Sequence, residues 1–262
     1  MSFTDIFESQ ERIRPIPQRR VIEKLDEYMS RRDYAGAERH LLYWLEEARM
    51  GGDLRGALTV RNELVGHYRK TGQREEALKN AEAALALVDQ LDFGDTISAG
   101  TTCVNAATAM SAFGENERAL ALFQRARPLY ESSAAIRPEL LGGLYNNMAL
   151  TCAALKRYDE ALALYDKALA QMARVPRGAL EQAVTCLNMA NLLEDRDGME
   201  AAEGEIYALL DRAVALLDGP ELEHDGYYAF VCEKCVPTLE YYGYFADAQR
   251  LKEEAERIYA GA

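Results

Sequence analysis

The stretch YNNMALTCAALKRYDEALALYDKAL, residues 145–169, decides the fold of this chain. Apolar residues recur at three- and four-residue spacing on both sides of LKRYDE, which predicts two amphipathic helices joined there. Two adjacent amides, Asn146 and Asn147, interrupt the otherwise apolar first helix. Asparagine is a poor helix former because its side chain competes for backbone hydrogen bonds, so these two amides require an explanation.

The same helix pair recurs along the chain. In each copy a small or apolar residue near the start of the second helix is followed seven residues later by a partner, which is alanine in most copies. These pairs are Ala37…Trp44, Ala77…Ala84, Ala119…Ala126, Ala161…Ala168, Ile206…Ala213 and Ala248…Ala255. The leading residues are 40, 42, 42, 45 and 42 positions apart. A period this regular predicts an all-α solenoid of about six stacked helical hairpins.

Breaks in the pattern predict the organisation of the chain. We expect a short N-terminal segment, residues 1–17, and then a single repeat array over residues 18–262. Glycine, serine and proline residues divide the array into hairpins at approximately 18–51, 52–93, 95–133, 137–174, 178–219 and 222–262. The N-terminal segment either caps the first copy or lies in a groove. That groove would belong to this chain or to a second copy, which would make the protein a homodimer.

The repeats resemble the tetratricopeptide repeat, which has small residues at motif positions 8, 20 and 27 and an aromatic residue near position 24. These places are filled by Ala149, Ala161, Tyr165 and Ala168 in the opening stretch, and by Ala107, Ala119, Phe123 and Ala126 in the copy before it. Gly72, Gly114 and Gly243 fall where the chain turns between the helices. The period near 42 is similar to that of kinesin-light-chain-like tetratricopeptide proteins. The resemblance implies a right-handed α-α superhelix.

The register also makes two local predictions. Copy five carries extra residues around 194–205, which predicts an elongated turn between its two helices. His67 falls at motif position 10, which predicts a place on the surface.

The charge of the chain limits the classes of partner. The net charge is −13 and the isoelectric point is near 4.8, and an acidic chain repels phosphate backbones. We therefore expect no nucleic-acid binding; the acidity serves solubility or attracts a basic or mixed-charge partner. The N-terminus lacks a secretory pattern, and the sequence has no long uninterrupted apolar run. We expect a cytoplasmic protein with no membrane partner.

No motif in the sequence indicates a catalytic reaction. The five cysteines, Cys103, Cys152, Cys186, Cys232 and Cys235, all fall at core positions of the first helices, where a free thiol behaves as a small hydrophobe. The three histidines lack the spacing of metal ligands. The sequence has no phosphate-binding loop and no nucleophile motif. We therefore expect neither an enzyme nor a cofactor or metal site.

Asparagines form a row on the first helices, which line the concave wall of such a superhelix. The row is centred on motif position 6 and continues at neighbouring positions. Its predicted groove residues are Asn62, Glu63, Asn105, Asn146, Asn147, Asn188, Asn191 and Lys234. One interpretation is structural, with each amide bonding a neighbouring helix. The other is a ladder that pairs with the backbone of an extended peptide, because a carboxamide both donates and accepts. The resemblance to kinesin-light-chain-like grooves implies the ladder.

These observations predict a non-catalytic scaffold that binds a protein or an extended peptide segment along the asparagine-lined groove. The alternative is a peptide-sensing regulatory protein that acts through a separate output partner. Opposite charges at the ends of the row predict a direction for the peptide. Its basic residues would lie towards Glu23 and Glu63, and its acidic residues or carboxyl end towards Lys234.

Overall fold

The computed structural model describes residues 13–261, and every regular element in that range is an α-helix. The helices are α1 Gln18–Ser30, α2 Tyr34–Met50, α3 Leu54–Lys70, α4 Arg74–Gln90, α5 Ile97–Ala112, α6 Asn116–Glu131, α7 Pro138–Ala154, α8 Tyr158–Met172, α9 Ala179–Asp197, α10 Met199–Leu217, α11 Gly226–Tyr241 and α12 Phe245–Gly261. Consecutive helices pack as hairpins, so the predicted all-α fold of paired helices is confirmed. We call the odd-numbered helices the first helices and the even-numbered ones the second helices.

Each of these hairpins turns at one residue with a positive φ. The three glycines predicted at turns, Gly72, Gly114 and Gly243, have φ values of 73°, 82° and 84°. Glycine adopts this left-handed region without steric cost because it lacks a Cβ atom. The predicted turns are therefore confirmed. The corresponding residues of the other hairpins are Arg32, Lys156 and Gly198.

The predicted elongated turn in copy five is wrong. Only Gly198, with a φ of 83°, separates α9 from α10. The additional residues extend the two helices instead, and each of them is 19 residues long. A helical turn adds intrahelical hydrogen bonds, whereas a longer loop would leave backbone groups to be satisfied by other partners.

The chain divides into two compact units, Met1–Leu129 and Tyr130–Ala262. Within each unit the small residues of the repeat pattern are buried. Ala37 and Ala77 in the first unit, and Ala161 and Ala248 in the second, have no exposed surface. Their small side chains let neighbouring helices approach closely, as close packing requires. A single array over residues 18–262 stays a prediction.

The described part of the N-terminal segment is fastened to the first unit. The Arg14 amide donates to the Gly51 carbonyl at 2.8 Å. The Ile16 amide donates to the Asp53 carboxylate at 2.9 Å, and Asp53 also caps α3 by accepting from the Gly56 amide. The Ile16 side chain packs into the core formed by α1, α2 and α3. Residues 1–12 of the predicted N-terminal segment lie outside the described residues.

His67 is buried, so the predicted surface position is wrong. His67 is 4% exposed, and its ring packs against the rings of Tyr34 and Tyr68. Within residues 13–261 its Nδ1 atom has no hydrogen-bond partner. Burial lowers the pKa of His67; the nearby Glu38 opposes this shift and Lys70 adds to it.

The burial of His67 predicts a loss of stability on acidification. A lowered pKa in the folded state means that the unfolded chain binds more protons below about pH 6.5, so the free energy of unfolding decreases there. The slope from this one group is at most about 1.4 kcal/mol per pH unit. Urea denaturation of the wild type and of His67→Phe, at pH 7.5 and at pH 5.5, measures the effect. We expect His67→Phe to lose less stability on acidification than the wild type. An equal loss in the two proteins would show that His67 does not cause this pH dependence.

None of the helices in the described range is long and apolar enough to span a membrane.

Candidate functional site

The buried cysteines have a packing role, as the sequence predicted. All five are free thiols with almost no exposed surface. Burial raises the pKa of Cys152 and Cys232 to about 11 and that of Cys235 to about 12. These thiols are therefore protonated at neutral pH, whereas metal binding and nucleophilic attack require the thiolate. Residues 13–261 contain no group of three His, Cys, Asp or Glu side chains that could hold a metal ion.

In the first unit the predicted amides Asn62 and Asn105 bond each other. Nδ2 of Asn105 donates to Oδ1 of Asn62 at 3.1 Å. Nδ2 of Asn62 in turn donates to the Thr102 hydroxyl at 3.0 Å and to the Leu58 carbonyl at 3.1 Å. Asn62 thus links the neighbouring first helices α3 and α5, which fixes their relative register.

Glu63, the next predicted residue of the first unit, is half-buried. Burial raises the pKa of its carboxyl group, and the negative charge of Asp26 raises it further. The carboxyl groups of Asp26 on α1 and Glu63 on α3 therefore act on each other electrostatically, and a role of Glu63 in binding stays a prediction.

The second unit repeats the asparagine arrangement. Oδ1 of Asn146 accepts from Nδ2 of Asn188 and from the Thr185 hydroxyl, each at 3.2 Å. Asn146 is only 7% exposed. In both units an asparagine at motif position 5 meets an asparagine and a threonine of the next copy, 39 to 43 residues on. A buried amide needs such partners, so these four asparagines connect first helices whatever else they do.

The remaining predicted residues of the second unit lie in different places. Asn147 and Lys234 line the same cleft, and Asn146 also lies at its wall. Asn191 is exposed on α9 and is not among the residues that line this cleft.

This cleft lies beside the first helices α7, α9 and α11 of the second unit and has a volume of about 510 Å³. We call it the amide cleft. Its lining combines polar and charged side chains with an apolar part, and consists of Glu139, Gly143, Asn146, Asn147, Met172, Val175, Arg177, Gly178, Glu181, Tyr227 and Lys234. Donors, acceptors and apolar surface are therefore available within one cavity of the size that binding pockets usually have.

Tyr227 forms one side of the amide cleft and is held by charged neighbours. Its hydroxyl donates to the Glu181 carboxylate. The Arg177 guanidinium lies 6.0 Å from the centre of the tyrosine ring and pairs with Asp225 at 2.7 Å. Burial and the bond to Glu181 raise the pKa of Tyr227, so the hydroxyl remains a donor at neutral pH.

Contacts further along the helices show that α9 and α11 run parallel. The Tyr241 hydroxyl donates to Oε1 of Glu194 at 2.8 Å, and the Tyr242 hydroxyl donates to Oε2 at 2.7 Å. The Tyr227–Glu181 and Tyr241–Glu194 contacts have nearly the same sequence separation, 46 and 47 residues. This shared register places Tyr227 and Tyr241 on the side of α11 that meets α9.

Sequence reasoning missed most of the amide cleft. Glu139, Arg177, Glu181 and Tyr227 were not predicted, because each reaches the cleft from a helix start or a loop rather than from motif position 6. One signal was present in α11. Large side chains recur at three- and four-residue spacing at exposed positions, namely Tyr227, Phe230, Lys234, Pro237 and Tyr241.

The second unit has a larger cleft, of about 840 Å³, between the α10–α11 loop and α12. Its charged side chains bind one another. Arg250 pairs with Asp218 at 2.8 Å, and Glu254 accepts from Arg257 at 3.0 Å and contacts His224 at 2.8 Å. This internal pairing leaves fewer groups for a ligand than the amide cleft offers.

Comparison with known proteins identifies the repeat. The tetratricopeptide repeat family model matches residues 56–132. A candidate kinesin light chain from Podospora anserina with nearly identical TPR-like repeats is 19% identical, with a TM-score of 0.53 over 78% of this chain and 95% of that one. BtubC (BKLC) from P. vanneervenii is 16% identical, with a TM-score of 0.50 over 94% of this chain and 92% of that one. A comparison with curated proteins gave no match.

These identities are low, so the two solved structures show the fold alone. Of the residues that carry the predicted resemblance, one set lies inside the matched range, namely Ala107, Ala119, Phe123 and Ala126. The set in the opening stretch lies outside it, namely Ala149, Ala161, Tyr165 and Ala168. The predicted resemblance is confirmed: residues 56–132 carry tetratricopeptide repeats, and the chain has the helical-hairpin fold of tetratricopeptide-like proteins.

Proposed function

We propose that the protein is a non-catalytic scaffold and that its second unit binds an extended peptide segment in the amide cleft. Tetratricopeptide folds suggest protein interaction in general, because stacked hairpins present broad surfaces. The observation that supports this particular cleft is its lining. Asn147 and Lys234, two predicted groove residues, meet there with Tyr227, Met172 and a set of carboxylates.

The chemistry of the cleft suits a peptide backbone and a few side chains. The Asn147 carboxamide has both donor and acceptor atoms, so it can pair with N–H and C=O groups of an extended chain. Val175, which is half-buried, offers an apolar surface, and the buried Met172 also lines the cleft. Tyr227, 42% exposed, adds a ring of the kind that contributes strongly to protein interfaces.

The hydrogen bonds of the other asparagines limit how far the ladder extends. Asn146 and Asn188, like Asn62 and Asn105, bond each other, so these amides connect helices and have less capacity left for a peptide. Asn147 lines the amide cleft and is partly exposed, and the proposal depends on this amide in the second unit. A peptide site at Asn62, Glu63 and Asn105 in the first unit, and the sensor alternative, stay predictions.

Selection from a displayed library of random peptides, with the full chain as bait, tests the proposed function. We expect enriched peptides whose retention decreases about tenfold or more on Asn147→Ala and on Tyr227→Ala, because central interface side chains carry most of the binding energy. Tyr207→Ala is the matched control. Tyr207 is 37% exposed and lies on α10, outside the amide cleft. If no peptide is enriched, or if retention is unaffected by both cleft variants, the amide cleft is not the binding site.

A further inference from the structure

The two units differ strongly in charge. Residues 130–262 contain 23 Asp and Glu against 12 Lys and Arg, a net charge of −11. Residues 1–129 contain 20 against 18, a net charge of −2. Almost the whole charge of the protein therefore belongs to the unit that contains the amide cleft. A net charge of this size attracts cations and repels anions over distances of about 10 Å at moderate salt.

Half of the basic residues of the second unit are neutralised within it. Six ion pairs account for them: Lys156–Asp195, Arg157–Glu160, Arg177–Asp225, Arg196–Asp197, Arg250–Asp218 and Arg257–Glu254. The 23 carboxylates outnumber the 12 basic residues by 11, so nearly half of the carboxylates have no basic residue of this unit to neutralise them one to one. The surplus charge lies on the surface of the unit.

Two carboxylates belong to the amide cleft itself. Glu139 lies in the first turn of α7, and within the described residues it has neither an ion pair nor a hydrogen-bond partner. Glu181, in the first turn of α9, accepts from the Tyr227 hydroxyl. Positions in the first turn are favourable for carboxylates because of the helix dipole, which explains how they are tolerated. The dipole does not explain why they adjoin an exposed aromatic ring.

The exposed stripe of α11 continues the cleft as an aromatic surface. Tyr227 and Phe230 are each 42% exposed, and Tyr241 is 68% exposed. The faces of aromatic rings attract ammonium and guanidinium groups. Arg177 already lies over the Tyr227 ring. Two of these rings are also hydrogen-bonded to carboxylates, Tyr227 to Glu181 and Tyr241 to Glu194.

The cleft also contains two cations, and they limit the positions that a basic ligand can occupy. Arg177 is neutralised by Asp225 and by Glu223. Lys234 has no carboxylate partner among residues 13–261, and it separates Phe230 from Tyr241 along the stripe. A cationic side chain is therefore favoured at the Glu139 and Glu181 end, whereas the Lys234 ammonium can donate to a carbonyl group of the ligand.

We infer that the partner of the amide cleft is a basic segment, an extended peptide that places an arginine or lysine between Glu139, Glu181 and the Tyr227 ring. The inference rests on the proposed function and adds the chemistry of the ligand. It replaces the direction predicted from the sequence, which placed the acidic part of a peptide at this end. The charges of the cleft and of the whole unit favour the opposite sign.

Fluorescence anisotropy with three labelled peptides tests the inference on the full chain. The probes have about twelve residues each, a reach of roughly 40 Å when extended. They repeat Gly-Arg-Leu-Ser, Gly-Gln-Leu-Ser or Gly-Glu-Leu-Ser. We expect the arginine peptide to bind at least about tenfold more tightly than the glutamine peptide at low salt, and the glutamate peptide to bind most weakly. Added salt should weaken the binding of the arginine peptide more than that of the other two.

A pair of double variants separates the cleft from general attraction. The double variant Glu139→Gln with Glu181→Gln should bind the arginine peptide about tenfold more weakly, because both proposed partners of the arginine lose their charge. Glu200→Gln with Glu203→Gln changes the net charge equally but on α10, where both residues are exposed outside the cleft. This control should weaken binding by less than about threefold. Equal effects of the two double variants would show non-specific attraction and would overturn the inference.

The selection experiment distinguishes the two proposals. Enriched peptides that need Asn147 and Tyr227 but carry no excess of arginine or lysine would support the proposed scaffold function. They would overturn the inference that the partner is basic. The same holds if the glutamine or glutamate peptide binds as tightly as the arginine peptide. A selection without enriched peptides would contradict the proposed function, and the inference that rests on it would fail as well.

Discussion

Replacing Asn146 by alanine is expected to lower the free energy of unfolding by about 1–3 kcal/mol. Asn146 is 7% exposed, and its Oδ1 atom accepts from both Asn188 and Thr185. Without this acceptor, the amide of Asn188 loses its partner between the two helices, whereas the Thr185 hydroxyl keeps its bond to the Glu181 carbonyl at 2.8 Å. An unsatisfied buried donor costs more than a hydrogen bond contributes, because it loses its hydration without compensation.

The neighbouring residue is the control for this effect. Asn147→Ala should cost about 0.5 kcal/mol or less, since its side chain is partly exposed at the amide cleft. Chemical denaturation followed by circular dichroism measures both losses. Hydrogen exchange then shows whether the Asn146 effect is confined to α7 and α9. A cost of about 0.5 kcal/mol or less for Asn146→Ala would mean that the hydrogen bonds of Asn146 do not stabilise the second unit.

The fold could be predicted from the sequence because its determinants are local and periodic. Ala149, Ala161 and Ala168 recur with a fixed spacing, and all of them are fully buried. Gly72 and Gly114 mark turns because a left-handed residue is needed there, and glycine adopts that conformation at the least cost. Hydrophobic period and turn chemistry agree in the copies that turn at Gly72, Gly114 and Gly243, which is the condition under which sequence reasoning is dependable.

The errors occur where register alone does not determine position. Extra residues between two helices lengthen either the loop or the helices, and counting residues does not distinguish the two. The sequence around Gly198 is helix-forming, and the structure extends the helices there. The motif position of His67 predicted exposure, but the aromatic rings of Tyr34 and Tyr68 cover it. Those contacts come from large side chains, which a pattern of small residues does not describe.

The candidate site was predicted only in part because its geometry depends on contacts between distant residues. Asn146 and Asn147 are the same residue type at adjacent positions and both line the amide cleft, yet Asn146 is buried and bonds Asn188, whereas Asn147 is partly exposed. The difference is one of direction around α7, about 100° per residue. Spacing identified the row, but the partner of each amide is a side chain about 40 residues away. Tyr227 and Glu181 were missed for the same reason.

The second large effect is expected at Tyr165, where ring and hydroxyl act in opposite directions. Tyr165 is fully buried on α8 at the aromatic position of the repeat, and Phe123 fills the corresponding place in the copy before it. Within residues 13–261 the Tyr165 hydroxyl has no hydrogen-bond partner. Burial raises the pKa of this hydroxyl, so it remains a neutral donor without an acceptor. The repeat requires the ring, whereas the hydroxyl is buried at a cost.

Tyr165→Phe is therefore expected to raise the free energy of unfolding by about 1 kcal/mol, and Tyr165→Ala to lower it by about 3–5 kcal/mol. Tyr228→Phe is the matched control, because the equally buried hydroxyl of Tyr228 donates to Glu254 at 3.0 Å. Its loss should be destabilising by about 1–2 kcal/mol. Urea denaturation of the three variants gives the signs directly. If both phenylalanine variants are destabilised equally, the Tyr165 hydroxyl is hydrogen-bonded in solution, and the stability of this hairpin depends on the hydroxyl as well as on the ring.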